Sequence, residues 1–143
     1  MNDVPDAFMI QSSQTSKLLL VEDNESNRDM LSRRLVRRGF EVVTAADGES
    51  AIRITREAKP DLVLMDMSLP GINGWDATRI IKSSPETSAI PVVALTAHAM
   101  TSDREEAFAA GCNGFETKPV EMDKLLATIH GLLAGKRGPN ADA

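Results

Sequence analysis

Three strand-like four-residue runs among the apolar stretches of this chain each stop at a polar side chain: Leu18–Val21 before Glu22 and Asp23, Leu62–Met65 before Asp66, and Val92–Leu95 before Thr96. A strand that is apolar on both faces has no side to offer water, so helices must cover it above and below, as they do in a parallel sheet. That requirement narrows the fold to the α/β class. A shorter run, Gly114–Thr117, ends in the same manner at Lys118. Amphipathic stretches separate the runs, so Lys17 to Ala134 reads as five strand-helix units in one domain, residues 17–134.

The intervening segments give expected helices. The first runs from about Asn24 to Arg38, with Met30, Leu31 and Leu35 inward, Arg33, Arg34, Arg37 and Arg38 solvated near its negative end, and Gly39 as its stop. Strand two is Glu41–Thr44; Asp47 then caps a helix to about Lys59 with Ala51, Ile54, Thr55 and Ala58 on one side, and Pro60 closes it. The loop from Met67 to Gly74 contains Pro-Gly and Asn-Gly pairs, turn chemistry that lets a chain wrap a bound group. Helix three spans about Trp75 to Ser83 with Ala77, Ile80 and Ile81 inward. Ser102 and Glu105 form the capping-box pattern for helix four, which Gly111 ends. In helix five Met122, Leu125, Ile129 and Leu132 or Leu133 make the core stripe, with Gly135 as its end. Residues 1–16, which include the polar Gln11–Ser16 stretch, and residues 135–143 are expected to be flexible tails.

Composition removes several function classes. A formal net charge of -5 without a long basic run argues against direct nucleic-acid binding. One cysteine, Cys112, and two histidines, His98 and His130, leave a zinc centre without a ligand set. The first residues carry acids where a signal peptide needs bases, and no apolar stretch approaches the roughly 20 residues that span a bilayer, so a soluble, cytoplasmic protein without membrane contact is expected. Too few residues follow Ala134 for an output domain, which suggests a stand-alone module.

Ligands of doubly wound sheets bind beyond the carboxyl ends of the strands, at the point where strand order reverses. If strands one and three are neighbours there, Glu22, Asp23 and Asp66 must converge. Three neighbouring carboxylates raise one another's proton affinity unless a cation neutralises them. An all-oxygen, partly open ligand set suits Mg²⁺, which keeps several waters and bridges to phosphate oxygens. Lys118 can pair with Asp66 at rest and with a phosphoryl oxygen later, while Thr96 offers a hydroxyl donor. Asp66 is left as the nucleophile, a carboxylate able to accept a phosphoryl group as an acyl phosphate.

The segments Leu20-Val-Glu-Asp-Asn24, Leu62-Val-Leu-Met-Asp66-Met-Ser-Leu-Pro70, Ala94-Leu-Thr-Ala97 and Lys118-Pro119 stand in order at spacings that resemble the receiver domain of two-component response regulators. The resemblance covers nearly all of Lys17 to Ala134. It implies a flavodoxin-like doubly wound sheet of five parallel strands in order 2-1-3-4-5 with five helices. It also implies that Asp66 accepts the phosphoryl group of a phosphohistidine on a histidine kinase or a histidine phosphotransfer protein. The implied metal ligands are Asp23, Asp66 and the backbone carbonyl of Ser68, with Glu22 acting through water.

Thr96 and Phe115 match the switch pair of such domains, here with Phe where a tyrosine would add a phenolic hydrogen bond. Ser68 and His98, two positions after Asp66 and Thr96, match sites that tune acyl-phosphate lifetime. Output would pass to a downstream protein through the face of helix four, strand five and helix five. On this reading the chain catalyses its own phosphorylation and hydrolysis and turns over no external substrate.

A phosphatase resembling the haloacid dehalogenases would use similar groups, but those enzymes place Asp-x-Asp after the first strand, whereas Asp66 follows the third and position 68 is serine. A degenerate receiver that binds partners without phosphorylation, and a sink that only drains a kinase, are further alternatives. Cys112 and His130 are read as structural, and Trp75 as a partly packed side chain.

Overall fold

The computed structural model describes residues 15–98 and 100–142, with side chains through Gly135. The strands are β1 (Lys17–Val21), β2 (Glu41–Ala45), β3 (Leu62–Asp66), β4 (Val92–Thr96) and β5 (Gly114–Thr117). They form one sheet in order β2-β1-β3-β4-β5, every neighbouring pair parallel. The helices are α1 (Glu25–Arg37), α2 (Gly48–Ala58), α3 (Gly74–Ser83), α4 (Thr101–Ala110) and α5 (Met122–Asp142). Among the described residues no helix is long and apolar enough to cross a membrane.

Because successive strand residues point to opposite faces, each apolar run feeds two cores. Leu19, Val21, Val63, Met65, Val92 and Ala94 face Ala51 of α2, Ala77 and Ile81 of α3 and Ala107 of α4. Their neighbours Leu18, Leu20, Leu62, Leu64, Val93 and Leu95 face Leu31 and Leu35 of α1 and Leu125, Ile129 and Leu133 of α5. The doubly covered sheet demanded by the apolar runs is the sheet observed.

Local chemistry sets the helix ends. The side chains of Asn24, Asp47 and Asn73 accept the backbone N–H of Asn27, Ser50 and Asp76, so α1, α2 and α3 start at capped turns. Gly39 (φ 97°) and Gly111 (φ 110°) take the left-handed backbone after α1 and α4. Lys59 does the same after α2 at φ 47°, in the αL C-cap ahead of Pro60.

Several details differ from the sequence reading. Met30 is 50% exposed, because α1 buries only Leu31 and Leu35. In α3, Thr78 is fully buried while Ile80 is only half-buried. The pair Ser102 and Glu105 does not cap α4: the N-cap is Met100, without a side-chain hydrogen bond, and the earlier start places Ser102 inside the first turn. Gly135 does not stop α5, since it lacks the left-handed backbone that makes a glycine a terminator, and the helix continues to Asp142. Of the expected amino-terminal tail, residues 1–14 lie outside the described residues.

Candidate active site at the carboxyl ends of the strands

The register Val21↔Met65 between β1 and β3 carries the next residues, Glu22 and Asp66, to the same edge of the sheet. Glu22 is 4% exposed and its N–H donates to the Ala45 carbonyl at 3.0 Å, which holds the β1 end against β2. From α1, Arg28 donates to the Glu22 carbonyl at 2.8 Å, and the Asn24 N–H donates to the Glu22 carboxylate at 3.2 Å. Asp23 is exposed. Asp66 is the last residue of β3 and only 2% exposed; its Oδ1 accepts the Ser68 N–H at 2.9 Å. One carboxylate oxygen from each of Glu22, Asp23 and Asp66 lies within 4.8 Å of the other two, an arrangement able to hold a metal ion.

Lys118 enters from the far end of β5. Its N–H donates to the Thr96 carbonyl at 2.7 Å, and its Nζ reaches Glu22 Oε1 at 3.0 Å and Asp66 Oδ2 at 3.2 Å. The sequence reading foresaw the Asp66 contact but not the Glu22 one. Burial pulls the Lys118 pKa down, yet the hydrogen bond to Glu22 and the charges of Asp66 and Glu22 outweigh it, so the ammonium is held above its ordinary value. Three carboxylates against one ammonium leave an excess negative charge of about two, partly open to solvent at Asp23.

Thr96 closes β4 at 2% exposed, and its Oγ1 accepts the N–H of the exposed His98 at 3.1 Å. Phe115 is buried in the core beside Ala107, with the Arg104 guanidinium 4.9 Å above its ring centroid. The entrance to α3 also belongs to the site. A Cβ on Gly74 would sit 2.5 Å from the Asp66 carbonyl and 2.7 Å from Met67 Cα, so only glycine lets α3 start this close to the end of β3. A groove of about 520 Å³ opens beside Glu22 and Lys118, walled by Met30 and Arg34 of α1 and by Pro119 and Val120.

Sequence reasoning missed Arg28, the Ser68 N–H and Arg104. The first two act through backbone groups and the third across 11 positions, and none leaves a motif. Cys112 and His130 lie elsewhere. The Cys112 thiol is buried and pushed up to about 11 by that burial, and the His130 ring lies 5.7 Å from Phe40. Trp75 is half-buried against the core.

The family model of the response regulator receiver domain matches residues 18–130. The chain is 38% identical over 120 residues to Protein PilH of Pseudomonas aeruginosa, covering 84% of this chain and 99% of PilH. It is 35% identical over 119 residues to the polar-differentiation response regulator DivK of Brucella suis, covering 83% and 97%. The fold superposes with a TM-score of 0.78, at 34% identity and over 84% and 98% of the two chains, on the receiver domain of a sensor histidine kinase from Pseudomonas aeruginosa solved with a magnesium ion in its active-site cleft. A doubly wound sheet with carboxylates, a hydroxyl and a lysine at its carboxyl edge thus defines a two-component signalling module. The chain belongs to the response regulator receiver family.

Proposed function

We propose that this receiver takes a phosphoryl group onto Asp66 from a phosphohistidine, on a histidine kinase or a histidine phosphotransfer protein, and signals by protein contact. One observation carries the reading: a nearly enclosed Asp66 carboxylate is held on one oxygen by the Ser68 N–H and on the other by Lys118, within ligand distance of two further acids. A pairing that leaves excess negative charge invites a cation. The all-oxygen set with one exposed member fits Mg²⁺, and a magnesium-containing relative of the same fold supports that choice. Asp23, Asp66 and the Ser68 carbonyl would hold the ion, with Glu22 acting through water. When bound, it neutralises the acids and draws charge from the phosphoryl oxygens.

In the transfer an Asp66 carboxylate oxygen forms the new bond to phosphorus while the phosphorus–nitrogen bond breaks. The electron pair returns to the imidazole, which leaves neutral once protonated. Lys118, cationic across the physiological range, exchanges its Asp66 partner for a phosphoryl oxygen, and the Thr96 hydroxyl donates to another. Thr96 and Phe115 then form the switch whose movement alters the α4, β5 and α5 face for a downstream protein, in the cytoplasm. Ser68 and His98 border the acyl phosphate and tune its lifetime. The functional unit is residues 17–134.

Incubation with acetyl phosphate and Mg²⁺, followed by intact mass, tests the acceptor. One phosphoryl group should be added, and para-nitrophenyl phosphate should not be turned over. Steady turnover of that ester would overturn the reading in favour of a phosphatase. Thr96→Ala should still accept the group but lose most of the phosphorylation-dependent partner response; a full response from that variant would remove Thr96 from the switch.

A further inference from the structure

Of the helices α1 to α4, α4 alone lacks a side-chain hydrogen bond at its N-cap. It has ten residues, fewer than the length at which an isolated helix persists in water. It buries two alanines only, Ala107 and Ala110, and has no basic residue in its last turn. Its single cation, Arg104, lies between acids at Asp103, Glu105 and Glu106, yet among the described residues it forms no ion pair. Its guanidinium sits instead 4.9 Å above the Phe115 ring, which is itself 8% exposed.

We infer that Arg104 is a positioning residue that ties α4 to the Phe115 ring, so that the position of the ring sets how firmly α4 is held against the sheet. The inference rests on the proposed role of Phe115 as a switch. A phenylalanine has no hydroxyl, and the part of its ring that attracts a cation on a neighbouring helix is the negative π face. A guanidinium is attracted to that face only within about 6 Å of the centroid, so a ring displacement of a few ångströms ends the attraction. The tie therefore converts a buried side-chain movement into a change in the stability of a surface helix, with no need for a phenolic hydrogen bond.

Amide hydrogen exchange across α4 in the full chain tests the tie, comparing the parent with Arg104→Met, Phe115→Leu and the double variant. Intact mass on the same samples follows phosphorylation by acetyl phosphate and Mg²⁺. Before phosphorylation, Arg104→Met should speed exchange of the α4 amides by about 2- to 5-fold, the size of an exposed cation–π contact. That effect should vanish in the Phe115→Leu background and persist in Phe115→Tyr, which keeps the π face and covers the case in which the leucine variant fails to fold. Unchanged exchange in Arg104→Met, or an equal effect with and without the ring, would overturn the tie. On phosphorylation α4 exchange should rise in the parent and rise less in Arg104→Met; equal rises would separate the tie from the switch. If no phosphoryl group is added, the acceptor reading fails and takes the signalling link with it, while the unphosphorylated comparison still decides whether Arg104 and Phe115 are coupled.

Discussion

The two ends of the sheet solve opposite problems. At the amino ends of the strands, polar groups meet partners close at hand: the Lys17 N–H donates to Asp61 at 2.8 Å, the Val92 N–H donates to Asn113 Oδ1 at 3.0 Å, and Lys82 Nζ donates to the Ile90 carbonyl at 2.7 Å. These bonds tie loops to strand starts and balance locally, at about 1 kcal/mol each in net stability. At the carboxyl ends, by contrast, Glu22 and Asp66 are both nearly buried and share one ammonium, with Asp23 beside them. Like charges at such range oppose folding, and the lysine offsets only part of the repulsion. One end is built for stability. The other concentrates negative charge, so under the proposed function changes at the two ends should separate stability from phosphoryl acceptance.

The intrusion that bears directly on Asp66 is Gly74→Ala. Its Cβ would press on the Asp66 carbonyl at 2.5 Å and on Met67 Cα, backbone atoms that cannot rotate away. A loss of about 3 kcal/mol in denaturant unfolding, the upper range for overpacking, is expected together with slowed phosphoryl acceptance. Loss of stability with normal acceptance would mean that the close approach does not position Asp66.

At the opposite end, burial pushes the Cys112 thiol up to about 11 from the ordinary 9.0. The unfolded chain then ionises first, so stability is full below pH 9 and falls as pH rises from 9 towards 11, by about 2–3 kcal/mol. Cys112→Ala should remove that part of the fall and leave the part above pH 10.5 that comes from the raised Lys118 ammonium, as read from unfolding free energies across that window. Smaller still, Asn113→Ala removes the acceptor for the Val92 N–H and should cost about 1–2 kcal/mol while leaving the phosphorylation rate unchanged. A slowed rate in Asn113→Ala would erase the division between the two ends.

Much of this division was legible in the sequence, because apolar runs that stop at acids fix both the doubly covered sheet and the edge where the acids gather. Asp66 and Thr96 prove to be the last residues of β3 and β4, which is where that pattern placed them. Helix ends marked by side-chain chemistry, at Asp47 and Gly111, were also readable. The failures have a common cause. Ser102 with Glu105 matches a capping pattern, but only the tertiary path of the chain fixes the helix start at Thr101. Met30 fits the helical period, but α1 has only a narrow face against the sheet, so the methionine walls the groove beside Lys118 instead. Lys118 was assigned one carboxylate and has two, since the reach of a flexible side chain depends on strand register rather than on spacing. The Arg104 contact with Phe115 depends on how α4 lies over β5, which no local pattern encodes.

The central claim is that Asp66 is the atom-level destination of the phosphoryl group, and the most direct measurement locates that group. The protein is incubated with acetyl phosphate and Mg²⁺, reduced with borohydride, which converts an aspartyl phosphate to homoserine, and mapped by peptide mass alongside Asp66→Asn treated identically. Homoserine at position 66 in the parent, and no reduction product in the variant, is the predicted result. Homoserine formed at Asp23 or elsewhere, or a phosphoryl group still gained by Asp66→Asn at the parent's rate, would contradict it.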